Sequence, residues 1–341
     1  MNLEQRIQAG LDGHYQGLSN GFTRINDYIF GIQRGTYYLL GGQSGTFKTT
    51  LVDYMVLNAL QYAEANNIPI EIFYYSFEID RLTKQCNWLS NIIYQKYGRT
   101  ISPETIKGLG NFRLTPEEHE LVKSETPEME RLFDKIYFTF KTENPTGIFN
   151  TLKEHAVLNG TIEYEEYTYQ GEIKQKFKKY RPNQEGIYRL IIIDHLYLLK
   201  KERGYQTKEV IDKMSEYAVS LRNMYGYTPI FIQQFNQGLS SIDRLKFKGA
   251  DLSPQQSDFR DSTSPYADAD VVLGTMSPFK LDIETSLGYD IRRLKGKMLM
   301  CKIIKNRLST DNIAIGLYVN PKAASFSELP LPNVINYRQY E

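Results

Sequence analysis

Lys48 and Thr49 stand near the end of the stretch Leu39-Leu-Gly-Gly-Gln-Ser-Gly-Thr-Phe-Lys-Thr-Thr50, where an apolar run gives way to a helical pattern. Residue types in that order suit phosphate binding. Successive backbone N–H groups of Gly42, Gln43, Ser44, Gly45, Thr46 and Phe47 cradle phosphate oxygens, and the first helical turn, through Thr50, adds its dipole. Lys48 reaches the β- and γ-phosphates, and the Thr49 hydroxyl ligates Mg²⁺. The usual spacing is G-x-x-x-x-G-K-[ST]. Gly42, Lys48 and Thr49 fit it, whereas Phe47 stands where the second glycine belongs. Phe adopts positive φ less cheaply than Gly, at a cost of about 1–2 kcal/mol. A loop that needs no positive φ there costs less. A plain glycine-rich turn before an ordinary helix would leave Lys48 and Thr49 at these offsets unexplained.

Binding becomes hydrolysis only with a carboxylate that positions the metal and a group that activates water. Ile191-Ile-Ile-Asp-His195 ends an apolar run in Asp194, placed to hold Mg²⁺ through water. Glu78, in Tyr74-Tyr-Ser-Phe-Glu-Ile79, falls just past another strand-like run. That is the carboxyl edge at which open α/β sheets bind ligands, where it would polarise the attacking water. Each has a plainer alternative: a strand-end aspartate at a turn, or a glutamate in the first turn of a helix.

Parallel strands alternating with helices must position these groups. Candidate strands are Tyr37–Gly41, Ile70–Ser76, Ile136–Phe140, Leu190–Asp194, Pro229–Gln233, Val271–Leu273, Met298–Ile304 and Ile313–Val319. The run Leu190-Ile-Ile-Ile-Asp194 does not alternate, so both of its faces belong under helices. A helix from Thr49 to about Ala65 carries Val52, Val56, Ala59, Leu60 and Ala63 on one stripe, widened by Leu51, Met55 and Tyr62. A second, Thr207 to Tyr225, stops at Gly226. Residues 102–130 read as charged helix, with Pro103 and Pro116 near helix starts. Residues 160–182 read as a β-hairpin with an acidic first arm and a second arm carrying Lys174, Lys176, Lys178, Lys179 and Arg181. Cross-strand charge pairing would hold such a hairpin as a solvated insertion.

The 341 residues carry 41 Lys and Arg against 40 Asp and Glu, so no bulk positive field announces a nucleic-acid binder and any such surface is local. Cys86 and Cys301 are the two cysteines, which excludes a disulfide framework and suits a reducing, cytoplasmic compartment. No run reaches transmembrane length. The 26 tyrosines read as half-buried strand residues.

Taken together, these motifs resemble the RecA-like motor domain of DnaB-type replicative helicases. Gly17-Leu-Ser-Asn-Gly-Phe-Thr-Arg-Ile-Asn-Asp and Gly31-Ile-Gln-Arg-Gly35 are similar to that family's entry segment. Tyr75-Ser-Phe-Glu78 resembles S-L-E-M with its catalytic glutamate, and Leu190–Leu198 resembles the metal-aspartate strand. Gln233-Gln-Phe-Asn-Gln237 resembles S-Q-L-N-R, which puts Gln234 at the γ-phosphate-sensing position. Ser257-Asp-Phe-Arg-Asp-Ser-Thr263 resembles the loop that meets single-stranded DNA in the family's central channel, implying DNA contacts for Arg260, Asp261 and Thr263. Lys302-Ile-Ile-Lys-Asn-Arg307 resembles the strand end whose basic pair enters the neighbouring subunit's nucleotide, implying that Lys305 and Arg307 act in trans. Arg244, Lys246 and Lys248 would add sequence-blind phosphate contacts.

The resemblance spans Gly17 to Val319 and implies an α/β RecA-like fold of residues 17–341, preceded by a helical extension or linker at 1–16. It implies an ATP- and Mg²⁺-dependent hexameric helicase motor on single-stranded DNA, with a primase or loader as further partner. Chain brevity and the divergent loop suggest a bacteriophage or mobile-element version. Phe47, Thr263 in place of a loop glycine, the hairpin, and the lack of a helical N-terminal domain depart from the family pattern. Two other readings share the motifs: a RecA-like ATPase without unwinding activity, recombinase-like or regulatory, and an oligomer that uses nucleotide structurally.

Overall fold

A computed structural model describes residues 3–11, 16–170, 172–236, 252–259 and 262–340. Its centre is a nine-stranded sheet. The strands that position the site are β1 (Tyr38–Gly42), β2 (Ile70–Ser76), β3 (Ile136–Thr139), β6 (Tyr188–Asp194), β7 (Thr228–Gln234) and β8 (Val271–Met276). They run parallel in the order β8-β1-β7-β6-β2-β3. Two small strands, β9 (Thr285–Ser286) and β10 (Tyr289–Asp290), form a separate ladder. Strands β11 (Met298–Asn306), β12 (Ile313–Asn320) and β13 (Ser325–Glu328) extend the main sheet antiparallel beyond β8. The α/β RecA-like fold class is therefore met, and β13 is an addition that its short polar sequence, Ser-Phe-Ser-Glu, does not announce.

Helices cover both faces, as the unalternating Leu190–Asp194 run requires: every residue of β6 is buried. On one face α2 (Thr23–Ile29), α3 (Lys48–Ala65), α4 (Arg81–Tyr97) and α6 (Pro116–Phe133) pack on Tyr38, Leu40, Ile72, Tyr74, Leu190, Ile192, Ile230 and Ile232. On the other, α7 (Pro145–Leu158) and α8 (Thr207–Tyr225) pack on Leu39, Phe73, Tyr75, Ile191, Ile193 and Phe231. The alternation along each strand thus feeds two cores. Val52, Val56, Ala59, Leu60 and Ala63 of α3 are all buried. Helix α8 stops at Gly226, whose φ of 71° is the left-handed stop expected there. Residues 102–130 split into α5 (Pro103–Lys107) and α6, each with proline in its first turn. Several tyrosines lie deeper than half-buried, with Tyr37, Tyr74 and Tyr227 fully enclosed.

The hairpin is β4 (Gly160–Tyr169) against β5 (Glu172–Pro182). Its charges neutralise one another: Arg181 pairs with Glu163, Lys176 with Glu165, and the Lys174 and Lys176 ammoniums sit over the Tyr169 and Tyr167 rings. Pairing of Lys174, Lys176 and Arg181 weakens the field of the basic arm. Ahead of the sheet, α1 (Leu3–Leu11) exposes Leu3, Ile7 and Leu11, one residue per turn on one side.

Candidate nucleotide-binding site

Strand register builds the site. Gly42 of β1 lies level with Gln234 of β7 and Thr275 of β8, and Ser76 of β2 lies level with Asp194 of β6. Five strands therefore end at one edge, and residues at or just past the ends of four of them, β1, β2, β6 and β7, converge there. A pocket of about 240 Å³ results, lined by Ser44, Gly45, Phe47, Lys48, Thr49, Thr50, Glu78, His195 and Gln234.

The loop packs too closely to accept side chains at its first glycine. A Cβ on Gly42 would collide with Thr275 Oγ1 and stand 2.6 Å from Thr46 Oγ1. Thr46 is fully buried, and its hydroxyl donates to the Gln43 carbonyl at 2.8 Å, fixing the curvature of the loop. Lys48 Nζ donates to the same carbonyl at 2.7 Å.

Phe47 resolves the question its type posed. Its φ is 55° and ψ 26°, so the divergent residue does occupy the left-handed region. The ring packs, half-buried, against the core on the α3 side, and that burial offsets a strain of about 1–2 kcal/mol. Phe47→Ala keeps the strain and loses the ring, whereas Phe47→Gly loses both. The Gly variant should therefore be the more stable of the two by about 1 kcal/mol in urea unfolding, and equal stabilities would show that the strain is not there.

Asp194 is fully buried, and its Oδ1 accepts from the Thr49 hydroxyl at 3.0 Å. Its Oδ2 is buried with no partner among the described residues. A hydroxyl and a carboxylate with a free lone pair are hard oxygen donors, and they fit Mg²⁺, which takes few protein ligands and completes its shell with water and phosphate. Burial pushes the Asp194 carboxyl up to about 6, against the pull of Lys84. Lys84 is itself fully buried, with Nζ bonded to Asp53 Oδ1 and Oδ2 at 2.9 and 3.0 Å and to the Tyr74 hydroxyl at 3.0 Å. This network ties α3, β2 and α4 together close to Asp194. Sequence reasoning missed it because Asp53 and Lys84 meet only when α4 folds over α3.

Lys48 titrates low, at about 8, chiefly because burial disfavours its charge, with Glu78 and Asp194 opposing and Lys280 reinforcing. Bound phosphates favour the ammonium, so nucleotide binding should take up protons above about pH 8, approaching one per site near pH 9. Affinity then falls as pH rises through that range. Titration calorimetry in buffers of different ionisation enthalpy reads the uptake directly, and no uptake at pH 9 would remove Lys48 from the phosphate contact.

Glu78 is about half exposed, with Oε2 4.0 Å from His195 Nε2. His195 was not among the sequence candidates, although its place directly after Asp194 was the available signal. Burial pushes its pKa down, keeping the ring neutral, and its Nδ1 has no partner among the described residues. Gln234 faces the pocket while its neighbour Gln233 is buried, donating from Nε2 to the Ser262 carbonyl at 3.0 Å. One strand end thus touches both the nucleotide pocket and the segment that leads to exposed Thr263. Arg260 and Asp261, like Arg244, Lys246 and Lys248, lie outside the described residues.

Lys305 and Arg307 are not brought to this pocket. Strand β11 runs antiparallel to β8, placing them beside Val272 and Asp270 at the opposite edge of the sheet. There Arg307 pairs with Asp270 at 3.1 Å, and Lys305 Nζ donates to the Tyr266 and Ala267 carbonyls. Among the described residues no helix is long and apolar enough to cross a membrane.

Known proteins share this fold. No curated protein matches the chain. Among solved structures, an isolated ATPase domain superposes with a TM-score of 0.69 at 14% identity, over 96% of this chain and 99% of that one. A DnaB-like replicative helicase, described with its interactions with primase, superposes at 0.68 and 16% identity, over 96% of this chain and 66% of that one. The family model for the DnaB-like helicase C-terminal domain matches residues 134–326. That stretch starts after residues 42–49 and Glu78, so the preceding 133 residues share only the fold. With more than half of its residues matched, the chain belongs to the DnaB-like helicase C-terminal domain family.

Proposed function

We propose that this chain is an ATP-hydrolysing motor that assembles as a ring, in the family's manner a hexamer, and translocates on single-stranded DNA during replication. Residues 17–341 form the motor, and 1–16 form an extension. The observation that carries the reading is the shared strand edge, where phosphate loop, Thr49–Asp194 pair, Glu78 and Gln234 meet in one pocket.

The chemistry follows from those positions. Backbone N–H groups of Gly42 to Phe47 and the start of α3 hold the triphosphate, and Lys48 neutralises its outer phosphates. Thr49 and Asp194 would hold Mg²⁺, which supplies charge neutralisation between the phosphates. Glu78 accepts a proton from the attacking water, and neutral His195 stands beside it, with Nε2 4.0 Å from Glu78 Oε2. Gln234 senses the γ-phosphate, and Gln233 carries any shift of β7 to Ser262 and so to the DNA-binding segment of Arg260, Asp261 and Thr263.

Two features support assembly. Lys305 and Arg307 are a strand length from their own phosphate loop, so they complete a site only in a neighbouring subunit. The Leu3, Ile7 and Leu11 stripe is 75, 58 and 77% exposed, a cost that burial against another copy would remove. A primase or loader is a further partner in this reading, since one structural relative is described with primase.

Unwinding of a forked DNA duplex, measured with the mass in solution with and without nucleotide, tests the proposal. Nucleotide-dependent assembly and ATP-dependent strand separation are expected. DNA-stimulated hydrolysis without strand separation would support a RecA-like ATPase of another kind, and a strict monomer would end the ring.

A further inference from the structure

We propose that Lys280 is a second phosphate-binding lysine of the nucleotide pocket, supplied by the same subunit from the turn after β8. The inference rests on the nucleotide reading above and adds a ligand contact to it. Strand β8 runs parallel to β1 with Thr275 level with Gly42, so the chain leaving β8 emerges beside the chain entering the phosphate loop. A single 3₁₀ turn, Phe279–Leu281, then folds back over that loop. Its backbone is held by the Lys280 N–H to the Ser277 carbonyl at 3.2 Å and the Leu281 N–H to the Pro278 carbonyl at 3.1 Å.

The turn aims Lys280 at the loop. Its Nζ overlaps the point a Cβ on Gly45 would occupy, so the ammonium fills the space left by the missing side chain. Gly45 has φ 69°, which keeps a side chain out on backbone grounds as well. Among the described residues no carboxylate pairs with Lys280. Its ammonium is close enough to Lys48 to disfavour the charge there. Glu78 and Asp194 offset part of the charge at Lys48, and a polyanion relieves the repulsion that remains between the two cations. The two approach from different sides: Lys48 rises from the first turn of α3, and Lys280 descends over Gly45, at the amino-terminal half of the loop. A polyphosphate lying along the loop would meet both.

The ligand class is a nucleoside di- or triphosphate, recognised here through its charge and not its base. A surface-exposed lysine can be replaced without endangering the fold. The test is equilibrium binding of ADP, of a non-hydrolysable ATP analogue and of uncharged adenosine, at low and high salt. The proteins compared are wild type, Lys280→Ala, Lys280→Arg and Lys48→Ala. Lys280→Ala should weaken both phosphate ligands about tenfold and flatten the salt dependence, while Lys280→Arg retains most of the affinity and adenosine binding does not change. If Lys48→Ala loses affinity but Lys280→Ala matches wild type, Lys280 is a solvated surface group and the inference falls with the nucleotide reading intact. If wild type itself binds no phosphate ligand, both fall together.

Discussion

Glu78→Gln should lower steady-state ATP hydrolysis by about 10²–10⁴-fold and leave nucleotide affinity nearly unchanged. The substitution keeps the shape of the side chain and removes its ability to accept a proton. Glu78 stands past the end of β2 on the pocket wall, half exposed, so water can reach it and no folding role depends on its charge. His195 Nε2 lies 4.0 Å from its Oε2, and Lys48 lies close enough to feel its field. The measurement is phosphate release under saturating ATP alongside direct nucleotide binding. Loss of rate with retained binding separates this role from that of Lys48, whose removal should cost both. A Glu78→Gln enzyme that still turns over would shift the base to another group, and neutral His195 is the one in place to take it.

Arg307→Ala should abolish hydrolysis just as fully, by about 10³–10⁵-fold, without touching its own subunit's pocket. Between the Asp270 edge, where Arg307 lies, and the Thr275 edge, where the phosphate loop begins, the sheet spans roughly 17 Å at about 3.3 Å per residue. No rotamer of one arginine covers that distance. If the residue acts on phosphate, it acts on a neighbour's. The decisive experiment mixes Arg307→Ala subunits with Lys48→Ala subunits. Each protein alone is inactive. In a mixed assembly some interfaces join an intact loop from the first to an intact arginine from the second, and activity returns. No recovery, in mixtures shown to assemble together, would remove the trans role and leave Arg307 as the partner of Asp270 that it is within one chain. Lys305→Ala should have the smaller effect, because its ammonium is held by the Tyr266 and Ala267 carbonyls and burial lowers its pKa.

Much of this was legible in the sequence because it is local. Strand residues 70–76 and helix residues 207–225 can be read to the residue, since apolar period and terminal glycine or polar stops lie within each segment. The acidic and basic arms of the hairpin are adjacent in the chain, so their pairing could be read too. Helices α4 and α7 were less visible. Arg81–Tyr97 buries Lys84, Ser90 and Asn91, and polar residues on an inner face break the apolar stripe by which a helix is recognised.

By itself the sequence determined the fold class and the chemical types at the site: a lysine and threonine after a glycine-rich turn, and carboxylates after two apolar runs. Tertiary structure alone decided their registry. Ser76 had to lie level with Asp194, and Gly42 with Gln234 and Thr275, before four loops could share one pocket. It also decided that Phe47 takes the left-handed conformation, since a ring half-buried on the α3 core supplies what the backbone alone would resist. Likewise Lys280 comes to the loop, and Lys305 and Arg307 leave it, because β8 runs parallel to β1 while β11 runs against it. Strand direction and register depend on contacts between segments far apart in the chain, and no local pattern of residue types records them.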